Sequence, residues 1–172
     1  MSSLNKYSIF NIIFSYLPII ILFISVFNEF DFNFLKIEYF SFNFIHILIF
    51  YWTLKNPNYL GYFSIFIAGI VNDVVISIPM GISSFCYLLI CTSTAYLRNI
   101  TLTPNFIKDW FSFLFIILII NSIQVLILDL LFLIKINYFE YLVNTTFTFI
   151  LYPIFLVLFN FLNQKIPFTT YD

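Results

Sequence analysis

Long stretches of apolar residues, separated by short polar segments, make up most of this chain. The apolar residues run continuously through each stretch instead of alternating with polar ones, which favours helices over half-buried strands. Because runs of about 18 or more apolar residues with few charges are typical of membrane-spanning helices, we predict six spans. They cover residues 8–27, 40–54, 60–78, 82–97, 110–134 and 141–162.

Composition points to the same class of protein. Of the 172 residues, 62% are hydrophobic and 9% are charged, whereas soluble domains carry about 25% charged residues. The connections between the predicted spans are short, and no change of composition marks a linker. We therefore expect one polytopic, all-α transmembrane domain over residues 1–172, with its helices in one bundle within the lipid bilayer. The net charge of −1 provides no basic surface for nucleic acid.

The distribution of Lys and Arg predicts the orientation. No small-residue cleavage site follows the first span, so we expect it to be retained as a helix. With six spans, one side of the membrane collects most of the basic residues, and the positive-inside rule makes that side cytoplasmic, together with both termini. The predicted cytoplasmic residues are Lys6, Lys55, Arg98, Lys108 and Lys165, and the opposite side holds Lys36 and Lys135.

Two carboxylates, Asp73 and Asp129, fall inside predicted spans, where a charge is costly and usually has a partner or a function. One hypothesis makes them the acids of a proton or cation relay. The other makes them structural or docking groups that accept hydrogen bonds from water or from a neighbouring helix. We favour the second, because no Lys or Arg lies deep in any predicted span.

Other chemistry is sparse. His46 is the only histidine, and since a metal site needs several ligands, we expect a packed or hydrogen-bonded histidine and no metal. No nucleophile elbow or Gly-rich phosphate loop is present, and the chain has three glycines. We therefore predict a protein that is not an enzyme, with no catalytic residue and no cofactor.

The third predicted span has a face of small residues, Gly61, Ser64 and Ala68, with Gly69 beside them and Asn72 continuing it. Small residues let helices approach closely, and polar side chains can then bond across the contact. Two interpretations stay open at this point. The face serves packing within the chain, or it binds a partner helix.

Three motifs resemble those of the MreD family of bacterial rod-shape-determining membrane proteins. The second span ends in Tyr51-Trp52, a pair suited to the headgroup level, followed by Lys55-Asn56-Pro57. The third span contains Gly69-x-x-x-Asp73, and Pro79-Met80-Gly81 precedes the fourth. Met80 replaces the usual Leu, and Ser77 stands near a position where the family often has Gly. The motifs cover about residues 50–95; the remaining spans match in character alone.

The resemblance implies a fold similar to the substrate-binding subunits of energy-coupling-factor transporters. It implies a non-catalytic scaffold of the cell-elongation machinery in the bacterial inner membrane, which positions lateral peptidoglycan synthesis. Its implied partners are an MreC-like protein, MreB, RodA and an elongation-type penicillin-binding protein. The structural or partner-binding candidates are Trp52, Pro57, Gly69, Asn72, Asp73, Pro79 and Gly81.

Two alternatives remain. One is the substrate-binding membrane subunit of a vitamin transporter, which would need an outward-facing cavity lined with polar and aromatic groups. The absence of alanine from the first span counts against it, because such subunits dock through Ala-rich faces of that helix. The other alternative is a subunit of a larger respiratory or secretion complex.

Overall fold

The computed structural model describes residues 16–27, 41–100, 105–133 and 137–165. These residues form six α-helices and no strand, which confirms the predicted all-α class. Predictions that concern Lys6, Lys36, Lys135 or the beginning of the first span lie outside the described residues. The helices are α1 (Tyr16–Phe27), α2 (Phe44–Lys55), α3 (Tyr62–Val75), α4 (Ile82–Ile100), α5 (Phe106–Phe132) and α6 (Tyr138–Lys165), and a 3-10 turn (Pro57–Tyr59) follows α2.

The helix lengths differ from the predicted spans. Among the described helices, α5 and α6 are long and apolar enough to cross a bilayer, whereas α2 and α3 are apolar but shorter. Helix α4 has 19 residues, but Ser, Thr, Arg and Asn interrupt its apolar sequence. At about 1.5 Å per residue, α2 is roughly 18 Å long and α5 roughly 40 Å. The described residues contain six helices, as many as the predicted spans, and two of these helices have the length and apolarity of a span. Six membrane spans therefore stay a prediction.

Local chemistry explains why α2 and α3 stop early. Pro57 begins the 3-10 turn after α2, and a residue that precedes proline is disfavoured in the helical region. Helix α3 ends at Val75 because Ser77 adopts a left-handed conformation, with φ of 57°. The predicted third span therefore continued three residues too far, to position 78.

Helix α2 lies at the centre of the bundle. Ten consecutive residues, 44 to 53, are buried, which is typical of a helix enclosed on every side. It packs against α4 and α6 and reaches α5 through Phe50, whose ring lies 5.0 Å from that of Phe113. Since an enclosed helix has no solvent-facing side, its nearly uniform apolar sequence follows from its position.

Hydrogen bonds and ring contacts show that α2, α4 and α6 run in the same direction. Beside the start of α2, the Asn43 N–H donates to Thr148 Oγ1, in the first half of α6, at 2.9 Å. Near their ends, Asn56 Nδ2 donates to Asn163 Oδ1 at 2.9 Å. Helix α4 also runs parallel to α2. His46, near the start of α2, contacts the ring of Tyr87, and Thr53, near the end of α2, contacts Cys91, which comes later in α4.

Among the described residues, the two ends of the bundle differ in charge. At the end where α2 and α4 finish and α5 begins, which we call the basic end, Lys55 Nζ lies 3.9 Å from Asp109 Oδ2. Arg98 is in the last turn of α4, and Lys108 is in the first turn of α5. The opposite end contains the start of α6 with Glu140, and we call it the Glu140 end.

Helices α5 and α6 expose broad apolar surfaces. In their most apolar 18-residue windows, 39% of α5 and 28% of α6 is buried. A core helix of a soluble protein would be mostly buried instead. The exposed side chains include Phe115, Ile119, Leu126 and Leu130 of α5, and Ile150, Ile154 and Val157 of α6.

Candidate functional site

The turn between α3 and α4 begins with a Schellman motif at the end of α3. The Ile78 N–H donates to the Asp73 carbonyl at 3.0 Å, and the Ser77 N–H donates to the Val74 carbonyl at 3.4 Å. This pair of bonds satisfies carbonyls that the end of a helix leaves without a partner. The motif places Ser77 in the left-handed region, where glycine is the usual residue.

The Asp73 side chain closes the same turn from the other side. It is fully buried, and its two oxygens accept hydrogen bonds from the backbone N–H groups of Gly81, at 2.6 Å, and Ser83, at 2.8 Å. These donors belong to the N-terminus of α4, where the helix dipole and unpaired N–H groups stabilise a negative charge. A residue of α3 thus caps α4, in the position that a Ser or Asp beside the helix start would normally take.

Further contacts join the two helices below this cap. Asn72 Nδ2 donates to Ser83 Oγ at 3.1 Å, and Ser84 Oγ donates to the Phe66 carbonyl at 3.1 Å. A Cβ atom at Gly69 would overlap the backbone of Ser84. Therefore glycine at position 69 allows the close approach that the hydrogen bonds require.

The small-residue face of α3 is thus used within the chain at Ala68 and Gly69, which are both buried. Gly69, Asn72, Asp73 and Gly81 meet at the contact between α3 and α4. Pro79 lies in the turn itself, half-buried, beside Met80, which is 76% exposed.

Trp52 and Pro57 lie away from this turn, near the basic end. The Trp52 side chain is fully buried, its ring contacts those of Tyr51 and Tyr59, and its Nε1 has no hydrogen-bond partner. Tyr51 is also fully buried, and its hydroxyl donates to Asn160 Oδ1 at 2.7 Å. Both side chains of this aromatic pair lie inside the bundle, because α2 is enclosed by its neighbours. Their place at the headgroup level stays a prediction.

The two carboxylates considered for a relay have different surroundings. Asp73 is bound by backbone N–H groups, whereas Asp129 is half-exposed and accepts a hydrogen bond from the Tyr138 hydroxyl at 3.1 Å. Within the described part of the chain, no group of three or more His, Cys, Asp or Glu side chains lies close enough together to hold a metal ion.

A cavity of about 300 Å³ opens at the Glu140 end, and each of the six described helices contributes residues to its lining. His46, which is 4% exposed, is one of the residues that line it. Its Nδ1 atom is buried and has no hydrogen-bond partner. Asn144 also lines it, and the Asn144 Oδ1 atom is buried without a partner, although its Nδ2 donates to Ser41 Oγ at 2.8 Å. Sequence reasoning considered His46 alone and missed its neighbours.

The contact between α2 and α6 is polar along much of its length, which the sequence did not reveal. Besides Asn43 with Thr148 and Asn56 with Asn163, the Tyr51 hydroxyl bonds to Asn160. At about 100° per residue, Thr148 and Asn160 do not share one face of a straight helix. Pro153, which removes a backbone donor, lies between them. The polar residues of α6 that contact α2 therefore do not form a regular stripe that the sequence pattern could reveal.

Comparison with known proteins yields no match. No protein-family model, no curated protein and no solved structure is significantly similar to this chain.

Proposed function

We propose that this protein is a multi-pass membrane scaffold of the MreD type, which holds partner proteins of bacterial cell-wall elongation in place. The observation on which the proposal rests is the locked turn between α3 and α4. Asp73, Gly69 and Gly81, three residues of the motifs that resemble that family, form one structural unit there. Such a unit fixes the relative position of two helices, which is what a scaffold requires.

The apolar outer surface supports a place in the membrane. Soluble monomers rarely expose continuous apolar patches larger than a few hundred Å², whereas lipid-facing helices expose little else. Large apolar side chains are exposed at intervals from Phe106 to Phe132 in α5 and from Tyr138 to Phe161 in α6. We propose that these two helices face lipid, and that α1 to α4 complete the six spans, with α2 enclosed by its neighbours.

The difference in charge between the two ends supports the proposed orientation. Lys55, Arg98 and Lys108 belong to one end, and Glu140 belongs to the other. By the positive-inside rule, the basic end would be cytoplasmic. Because α6 finishes at the basic end, the C-terminus would be cytoplasmic too.

Co-purification tests the scaffold. The full chain, tagged and expressed at its native level, would be isolated from native membranes in mild detergent, and co-eluting proteins would be identified by mass spectrometry. We expect an MreC-like protein or a wall-synthesis enzyme. Recovery of an ATPase with a coupling subunit would contradict the scaffold and favour the transporter.

A pair of variants makes this experiment specific to the locked turn. Asp73→Leu removes the cap of α4, whereas Asp129→Leu removes a half-exposed carboxylate elsewhere. We expect Asp73→Leu to lose most of the co-purified partner and Asp129→Leu to retain it, at equal protein levels in the membrane. Equal recovery with both variants would show that the turn does not position the partner.

A further inference from the structure

Pro153 interrupts the backbone hydrogen bonds of α6. It lies inside the helix, and proline has no N–H group. The carbonyl of Phe149, four residues earlier, therefore cannot accept the usual helical hydrogen bond. Inside a bilayer no water replaces the missing donor, so an unpaired carbonyl is costly, and a proline in a membrane helix is tolerated where a neighbouring helix supplies another partner.

Trp110 of α5 supplies that partner. Its Nε1–H donates to the Phe149 carbonyl at 3.0 Å, and its ring stacks on the Phe149 ring, with 4.9 Å between the centroids. Further along α5, the Phe113 ring stacks on that of Tyr152, the residue before Pro153, at 4.6 Å. One hydrogen bond and two stacked ring pairs therefore hold α5 against the part of α6 where the backbone bond is missing.

The two parts of α6 on either side of the proline bind α2 separately. Before Pro153, Thr148 Oγ1 accepts a hydrogen bond from α2, and after it, the side chains of Asn160 and Asn163 accept two more. At about 100° per residue, Thr148 and Asn160 are roughly 120° apart around a straight helix. Since helices change direction most readily at proline, the conformation at Pro153 decides whether both parts face α2 together.

We propose that α6 is hinged at Pro153 and that Trp110 restrains the hinge. With the Trp110 hydrogen bond in place, the part of α6 beyond the proline stays against α2 at the basic end. Without this bond, the Phe149 carbonyl is unpaired, α5 no longer restrains the backbone there, and α6 bends over a wider range of angles. The inference does not depend on the scaffold function, because it concerns the conformation of the isolated chain.

Distances within α6 test the hinge. Leu142 and Val157 are exposed on either side of the proline, and they lie roughly 22 Å apart along a continuous helix. Spin labels would be attached at Leu142→Cys and Val157→Cys, and double electron–electron resonance would measure the full chain in lipid nanodiscs. The chain without introduced cysteines is the labelling control, because Cys86 and Cys91 are free but buried. We expect a narrow distance distribution, and a broad one would overturn the restraint.

Trp110→Phe removes the N–H donor and keeps a ring that can stack on Phe149. We expect a broader distance distribution and, in residues 154–158, amide hydrogen exchange that is roughly three- to tenfold faster, as the strength of interhelical hydrogen bonds in membranes implies. Phe115→Leu removes an exposed ring of the same helix and should change neither measurement. Equal effects of these two variants, or no effect of Trp110→Phe, would overturn the proposal.

Pro153→Ala shows whether Trp110 acts through the proline. Alanine restores the backbone N–H, so the Phe149 carbonyl gains a partner within α6 and no longer needs Trp110. We therefore expect a narrow distribution in Pro153→Ala, and no further change in distance or exchange when Trp110→Phe is added to it. A double variant that bends and exchanges as much as Trp110→Phe alone would contradict a hinge at Pro153.

Discussion

The carboxylate of Asp73 accepts a hydrogen bond from the backbone N–H of Gly81 at 2.6 Å, eight residues further along the chain. A second bond, from Ser83, completes the cap at 2.8 Å. The end of one helix and the beginning of the next are thereby fixed by one buried side chain. The stability of the α3–α4 turn should therefore depend on the two oxygens of this residue.

Replacement of Asp73 should reveal this dependence. In Asp73→Asn, one oxygen remains as an acceptor, and we expect a loss of about 1–2 kcal/mol of stability. In Asp73→Leu, both N–H groups lose their partner while buried, and the loss should rise to about 3 kcal/mol or more. Unfolding midpoints in detergent would measure both. A cell-shape assay should follow the same order, and equal loss with Asn and Leu would favour a proton relay.

Gly69→Ala should separate the helices. The added Cβ would overlap the backbone of Ser84, which cannot rotate away as a side chain could, so we expect a cost of about 1–3 kcal/mol. Gly61→Ala is the control, because a Cβ there meets no atom within 4 Å and the cost comes from its φ of +62° alone. A thermal stability of Gly69→Ala equal to that of the unmodified chain would contradict the close approach.

Ser77→Gly should stabilise the protein. Ser77 is exposed and has a φ of 57°, a conformation that costs roughly 1–2 kcal/mol for a residue with a Cβ. Part of this gain is lost to the greater freedom of glycine in the unfolded chain, so about 0.5–1 kcal/mol should remain. Ser77→Ala keeps the Cβ and should leave the unfolding midpoint nearly unchanged. Equal effects of Gly and Ala would show that backbone conformation is not the cause.

Two buried tyrosines of the core offer a matched test of hydrogen bonding. The Tyr51 hydroxyl donates to Asn160, whereas the Tyr152 hydroxyl is buried without a partner. Tyr51→Phe should therefore cost about 1–2 kcal/mol, and Tyr152→Phe should be neutral or slightly stabilising. Chemical unfolding in mixed micelles would compare them, and the reverse order would contradict the described bonds.

Cysteine labelling tests the proposed orientation. Met80 and Asn99 are exposed at opposite ends of α4, and the native Cys86 and Cys91 are buried and free. With a membrane-impermeant maleimide, Met80→Cys should react in intact cells lacking an outer-membrane barrier, and Asn99→Cys should react after permeabilisation. Labelling of Asn99→Cys in intact cells would place the basic end outside.

The sequence alone determined the local properties of this protein. Continuous apolar stretches determined the helical class and the number of helices, because backbone groups in such stretches pair most simply with their own segment. Pro57 and the Pro79-Met80-Gly81 turn marked two boundaries, since proline and glycine restrict or release the backbone locally. The end of α3 was misplaced because serine is not the usual residue for the left-handed conformation at Ser77.

Only the tertiary structure decided which groups meet across helices. Asp73 and Gly81 are close in the sequence, yet their bond depends on a turn whose geometry no single residue type specifies. The pairing of Ser41 with Asn144 spans 103 residues, and the cavity beside it exists because six helices contribute to its lining. Such contacts follow from the way whole helices pack. The residue pattern of one helix does not specify which residues of a neighbouring helix contact it.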